Sequence, residues 1–235
     1  MVRKFPASFS TPFDQVWHEA RVQLNGKPKE IHEIRDAFQF LVIWQDYLRE
    51  AFGELSAISH HSNPDDPPDV VAHFENEDLS IEITDIQPPH LHQSENLDNK
   101  VGKGRARFAV SLSNPPSSRE EAMNSMYLPG GGPPEEVEER NKVWLRSILE
   151  RVTSKLTSRT IEEVPPGIIL LTGSLDGSLG EEEAGREAFT KIRQTLPQSE
   201  KWTLATCYQW NPYEFFSVLS TPQGRVEIRS SAKST

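Results

Sequence analysis

Apolar residues recur at helical spacing in three stretches of the chain, and elsewhere in alternation or in short runs. Over residues 27–56, Ile31, Ile34, Phe38, Leu41, Leu48, Phe52 and Leu55 lie three, four or seven apart, which predicts an amphipathic helix. Pro28 near its start and Gly53 near its end are start and stop signals. The stretch "HHSNPDDPP" then breaks the pattern. Residues 133–156 predict a second helix, with Pro at its start, acids in its first turn and bases in later turns, as the macrodipole favours. "EEEAGREAFTKIRQTL" reads as a third. "GIILLTG" (167–173) is an apolar run bounded by Gly, the pattern of a buried strand, and "KWTLATCYQW", "FFSVLS" and "GRVEIRS" read as further strands. The predicted class is α/β, a mixed β-sheet flanked by helices.

Between the first two helices, "PPDVVAHFENEDLSIEIT" (67–84) reads as a β-hairpin. With Glu75–Asp78 as the turn, Phe74 opposes Leu79, Ala72 opposes Ile81 and Val70 opposes Ile83. All six lie on one face and are apolar. The other face carries Asp69, Val71, His73, Ser80, Glu82 and Thr84, with Asp69 across from Thr84 and diagonal to Glu82. A one-residue slip would drive acids into the core, so the faces are well specified. Cross-strand geometry sets the two carboxylates roughly 5–8 Å apart, a span that one oxygen-liganded divalent cation can bridge. A half-exposed hairpin with a wet polar face has the same pattern without any chemistry.

Composition narrows the classes. The 235 residues carry 35 acids against 25 Lys and Arg, a net charge of −10, which argues against binding nucleic acid by bulk electrostatics but leaves room for a local basic groove. "KVGKGRARF" (100–108) supplies such a segment through Lys100, Lys103, Arg105 and Arg107, although a solvated loop explains it equally. It lies within 87–134, a long irregular insertion rich in Pro, Ser, Asn and Gly, which Ser118 and Glu121 interrupt with a capping-box pattern for one short helix. The chain reads as a single domain, 1–235, with a core over about 28–220. Cys207 stands alone, no apolar run approaches the ~20 residues of a membrane span, and "MVRKFPASFSTPF" lacks the apolar stretch of a secretory signal. These features point to a cytoplasmic protein without membrane association. His60, His61, His73, His90 and His92 cluster around the hairpin in sequence, the residues from which a His/carboxylate metal hydrolase would be built, although the H-E-x-x-H signature is absent.

"PPD" opening one strand and "IEIT" in the next, after a long helix, resembles the PD-(D/E)XK nuclease superfamily. The resemblance implies a restriction-endonuclease-like α-β-β-β-α-β core that hydrolyses phosphodiester bonds in DNA. It implies that Asp69 and Glu82 hold Mg2+ or Mn2+, that Ile83 lends its backbone carbonyl to the metal, and that Thr84 hydrogen-bonds a metal-bound water. Thr84 stands where the superfamily usually has Lys, but divergent members carry E-x-T, with the Lys moved to a helix in some. On a wheel of about 100° per residue, Lys155 falls inside the apolar arc of Trp144, Ile148, Val152, Leu145, Leu156 and Leu149, with Arg151 at its border. It either snorkels to water or reaches the carboxylates. A glutamate from the first helix often completes such sites, and Glu30, Glu33, Glu50 and Glu54 all qualify. Three readings follow: a nuclease, a catalytically inactive nuclease-fold binding or structural module, and the His/carboxylate hydrolase. Oligomeric state, a homodimer included, is not legible in the residues.

Overall fold

A computed structural model describes residues 2–25, 27–61, 68–86, 137–157, 167–174, 181–211 and 214–232. Along them run β1 (Val2–Pro6), α1 (Phe13–Gln23), α2 (Pro28–Ile43), α3 (Gln45–Phe52), β2 (Leu55–His61), β3 (Val70–Phe74) and β4 (Asp78–Asp85). Then follow α4 (Val137–Leu156), β5 (Ile168–Ser174), α5 (Glu181–Thr195), a 3-10 turn (Pro197–Lys201), β6 (Thr203–Asn211), β7 (Glu214–Ser220) and β8 (Val226–Ala232). Among the described residues, eight strands form one mixed sheet in chain order. β4, β5 and β6 are parallel, and the other neighbours are antiparallel. From α2 to β5 the elements run helix, three strands, helix, strand, with the helical part split in two.

Both sheet faces are covered, which is why β5 is apolar at consecutive positions. Ile168 and Leu170 enter a core with Val16 and Ala20 of α1, Ile34, Phe38 and Leu41 of α2, and Leu48 of α3. Ile169 and Leu171 enter a second core with Ile148, Val152 and Leu156 of α4 and Phe189 and Ile192 of α5. Among the described residues no helix is long and apolar enough to cross a membrane.

Several sequence expectations need correction. The single helix over 27–56 is two helices and the start of a strand. The chain turns at Trp44 (φ −102°, ψ 17°), whose ring is buried and whose indole N–H donates to Ser217 Oγ at 2.8 Å. Gly53 does end α3, in a conformation (φ +86°) that L side chains rarely adopt. Leu55 then belongs to β2, which buries residues at consecutive positions and so lacks the alternation that marks a strand. β1 and α1 also escape periodicity, because β1 buries only Phe5 and α1 only Val16 and Ala20.

The hairpin register differs by two residues. Val70 pairs with Ile81, Ala72 with Leu79 and His73 is level with Asp78. The physical reason is β2: Leu55 takes Phe74 as its partner, and the turn amides of Glu75 and Asn76 donate to the carbonyls of Glu54 and Phe52 at 3.1 Å each. A two-residue shift preserves the faces. Val70, Ala72, Phe74, Leu79 and Ile81 are buried, and Ile83 packs against the same core.

β5 approaches β4 so closely at Gly167 that a Cβ there would lie 2.2 Å from the carbonyl oxygen of Ser80. Backbone cannot retreat without opening the β4–β5 pairing. Gly167→Ala is therefore expected to cost about 2–3 kcal/mol, as forced overpacking does, measured by urea denaturation.

The insertion 87–134 with its Ser118 helix, residues 133–136 of the predicted second helix, His90, His92 and the basic segment Lys100, Lys103, Arg105 and Arg107 lie outside the described residues. So does the side chain of Trp144.

Candidate functional site

The site forms where β3 begins beside β4. Pairing stops at Val70, and the next residue, Asp69, substitutes its side chain for a strand partner, with the amide of Ile83 donating to Asp69 Oδ2 at 2.8 Å. One more step of the register would set Asp69 level with Glu82, not with Thr84 as the sequence register has it. A further step would set Ile83 against Pro68, which has no N–H to offer the Ile83 carbonyl. β2 pins the same corner, because the amide of His61 donates to the carbonyl of Asp69 at 3.1 Å.

Glu82 is level with Ile169 in the β4–β5 ladder, and Ile169 faces α4 and α5. The Glu82 side chain therefore points at α4, where it is 2% exposed. Lys155 meets it there. Its Nζ lies 2.5 Å from Glu82 Oε2 and 3.9 Å from Asp69 Oδ2. A Lys inside the apolar arc of α4 thus spends its charge on two carboxylates. Glu82 Oε1 is buried and has no hydrogen-bond partner.

α2 contributes from the other layer. Glu33 is buried, accepts from His60 Nε2 at 2.8 Å through Oε2, and has Lys29 Nζ 3.3 Å from Oε1. An ionised carboxylate only accepts, so Nε2 carries the proton. Burial pushes the Glu82 carboxyl above its ordinary 4.5, and the charges of Asp69 and Glu33 push the same way, while the hydrogen bond and charge of Lys155 oppose them. Glu33 therefore lies within electrostatic reach of Glu82.

Burial alone would raise Glu33 as well, but His60 and Lys29 hold it below the ordinary 4.5. The fold thus favours its ionised form, and the resulting stability is present above its unfolded value and lost as pH falls through the lower folded one. Glu33→Gln is expected to cost about 1 kcal/mol near neutral pH. The gap to wild type should close as pH falls below the ordinary 4.5, which urea melts across the acid range would register.

Of the sequence-predicted residues, the structure brings Asp69, Glu82, Ile83 and Lys155 together. Thr84 is half-buried on the same strand face, level with Leu171. Among the four glutamates, Glu33 is the one whose charge bears on Glu82. Glu50 is exposed on α3, and Glu54 pairs with Arg49 at 2.5 Å. The sequence does carry a signal for Glu33, which extends the stripe Ala37, Phe40 and Trp44 at i+4, i+7 and i+11. His73, which the sequence sets on the same face as Asp69 and Glu82, instead contacts Ser59 Oγ at 2.5 Å and Asp78 Oδ1 at 2.8 Å. The reason is the register, which levels His73 with Asp78 near the turn. His60, another of the clustered histidines, contacts Glu33 on α2.

Among the described residues, no three His, Cys, Asp or Glu side chains converge as a preformed cation cage. Mg2+ seldom needs one, since it is held by one or two carboxylates while keeping waters and substrate phosphates. Asp69 and Glu82, with the unpartnered Glu82 Oε1, fit that demand. Comparison of the chain with protein-family models, with curated proteins and with solved structures returned no match.

Proposed function

We propose that this chain is a metal-dependent nuclease of PD-(D/E)XK type, hydrolysing phosphodiester bonds in DNA. The observation that carries the reading is the position of Lys155, whose ammonium reaches from α4 to within 2.5 Å of Glu82 on the motif strand. It offers the positive charge that Thr84 cannot. Asp69 and Glu82 would hold Mg2+ or Mn2+, with Ile83 lending its carbonyl. When bound, the metal would activate a water and stabilise charge on the phosphate. Lys155 would orient that water or contact the phosphate, and the Thr84 hydroxyl would hold a water in place. Lys100, Lys103, Arg105 and Arg107 would give the acidic chain its local contacts to the DNA backbone. The buried, solitary Cys207 supports a reducing, cytoplasmic setting.

The test is incubation of the full chain with linear, circular and single-stranded DNA in Mg2+ or Mn2+, with and without chelator. Products that vanish with chelator support the reading. Intact DNA throughout favours the inactive binding module, for which the Lys155–Glu82 contact is a structural ion pair.

A further inference from the structure

We propose that this chain forms a two-fold symmetric homodimer in which β8 pairs antiparallel with β8 of a second copy, centred on Ile228. The inference is independent of the carboxylate site and concerns the opposite end of the sheet.

Among the described residues, β1 and β8 are the edges of the sheet, each paired with one strand only. A sheet edge presents a row of backbone N–H and C=O groups that another strand can use. Proteins blunt such edges with short strands, Lys, Pro or bulges. β1 is blunted in this way, with five residues, an exposed Lys4 and Pro6 at its end. β8 has seven residues, VEIRSSA, without Lys or Pro. Its register on β7 runs unbroken from the Val226–Ser220 pair to the Ala232–Glu214 pair. Of the two edges, β8 is the one built to accept a strand.

The side chains of β8 say which strand fits. Val226 and Ile228 are half-buried and pack against the core of α4 and α5. Glu227 and Arg229 lie on the other face, where the Arg229 guanidinium sits 4.6 Å from the centroid of the Trp44 ring. When a two-fold axis perpendicular to the sheet continues it into a second copy, directly opposed residues share a face and every contact is made twice. Centring the axis on Ile228 sets Ile228 against its own copy, Val226 against Ser230 and Glu227 against Arg229. Centring it on Glu227 or on Arg229 would set like charges against each other, which is destabilising. The charges of β8 thus complement β8 itself in the register centred on Ile228. Glu227 already has Arg225 at 2.6 Å and Arg229 of its own strand at 3.8 Å. The Arg225 side chain is 75% exposed, however, and such a pair is worth little, so Glu227 gives it up at little cost.

The experiment is sedimentation velocity on the full chain as wild type, Glu227→Arg and Arg229→Glu, each first shown to be folded by circular dichroism. Strand pairing alone makes a small interface, so wild type is expected to be dimeric by about 100 µM rather than at trace concentration. Either variant sets like charges across the axis, and its dimerisation should be at least about 10-fold weaker. An equimolar mixture of the two variants should dimerise as wild type does. In the mixed pair the new base of one chain faces the new acid of the other, and the unaltered Arg229 and Glu227 face each other. Wild type that stays monomeric, variants as dimeric as wild type, or a mixture that fails to dimerise would each overturn the proposal. Should either variant not fold, Ile228→Cys takes its place. Two copies at the axis would have Cα atoms about 4.5–5.5 Å apart, within disulfide reach. Mild oxidation should then give a covalent dimer, and its absence would overturn the pairing.

Discussion

Replacing Lys155 by Met is expected to lower stability by about 2–3 kcal/mol, a fall of roughly 5–10 °C in Tm for a chain of this size. The ammonium touches both Glu82 and Asp69, and Glu33 adds a third negative charge to the same neighbourhood. Removing it leaves Glu82, 2% exposed, without its only close cation among the described residues. Breaking a buried pair commonly costs 3–5 kcal/mol. The lower figure here reflects the 27% exposure of the Lys155 side chain, which lets water replace part of its effect. Mn2+ should then raise the Tm of Lys155→Met by more than that of wild type, because the cation supplies the missing charge. Thermal melts with and without Mn2+ measure both effects. A Tm unchanged by the substitution would mean that Lys155 does not neutralise the carboxylates in solution.

Glu82→Gln should behave in the opposite way, keeping its fold and losing its chemistry. Burial and two like charges disfavour the Glu82 carboxylate, so its folded pKa lies above the ordinary 4.5. A raised acid stabilises the fold at pH values below its unfolded pKa, and that contribution is lost as pH rises through the folded value. The neutral amide avoids the loss, and Lys155 retains Asp69 at 3.9 Å and access to water. Stability equal to wild type, or up to about 1 kcal/mol above it, is expected at neutral pH, with the advantage disappearing in acid. Metal-dependent DNA cleavage should nonetheless fall by about 100-fold or more, since the variant lacks a charge aimed at the reacting centre. Parallel urea melts and cleavage rates separate the two effects.

The contrast between these variants shows what the amino-acid pattern does and does not reveal. The faces of the hairpin were legible because alternation survives any even shift in register. The register itself was not, because it depends on β2, whose "LSAISHH" buries successive residues and has no period of two. Lys155 was legible as a charge lying within an apolar arc, and the structure turns that anomaly into contact with Glu82. Setting Glu33 apart from Glu50 and Glu54 required the break at Trp44, which separates α2 from α3, and setting it apart from Glu30 required the bond to His60. His60 could not be singled out, since its value comes from a strand pairing that places it against α2. His73 was misjudged for the same reason, since the true register carries it to the turn.

The most direct measurement is the conversion of supercoiled plasmid to open circular form over time, with wild type and Glu82→Gln compared side by side in Mg2+. One cut per molecule is enough to register. Conversion by wild type that stops on chelation and is absent from Glu82→Gln is the predicted result. Equal conversion by the variant, or none by wild type in either Mg2+ or Mn2+, would contradict a carboxylate-held metal as the basis of function.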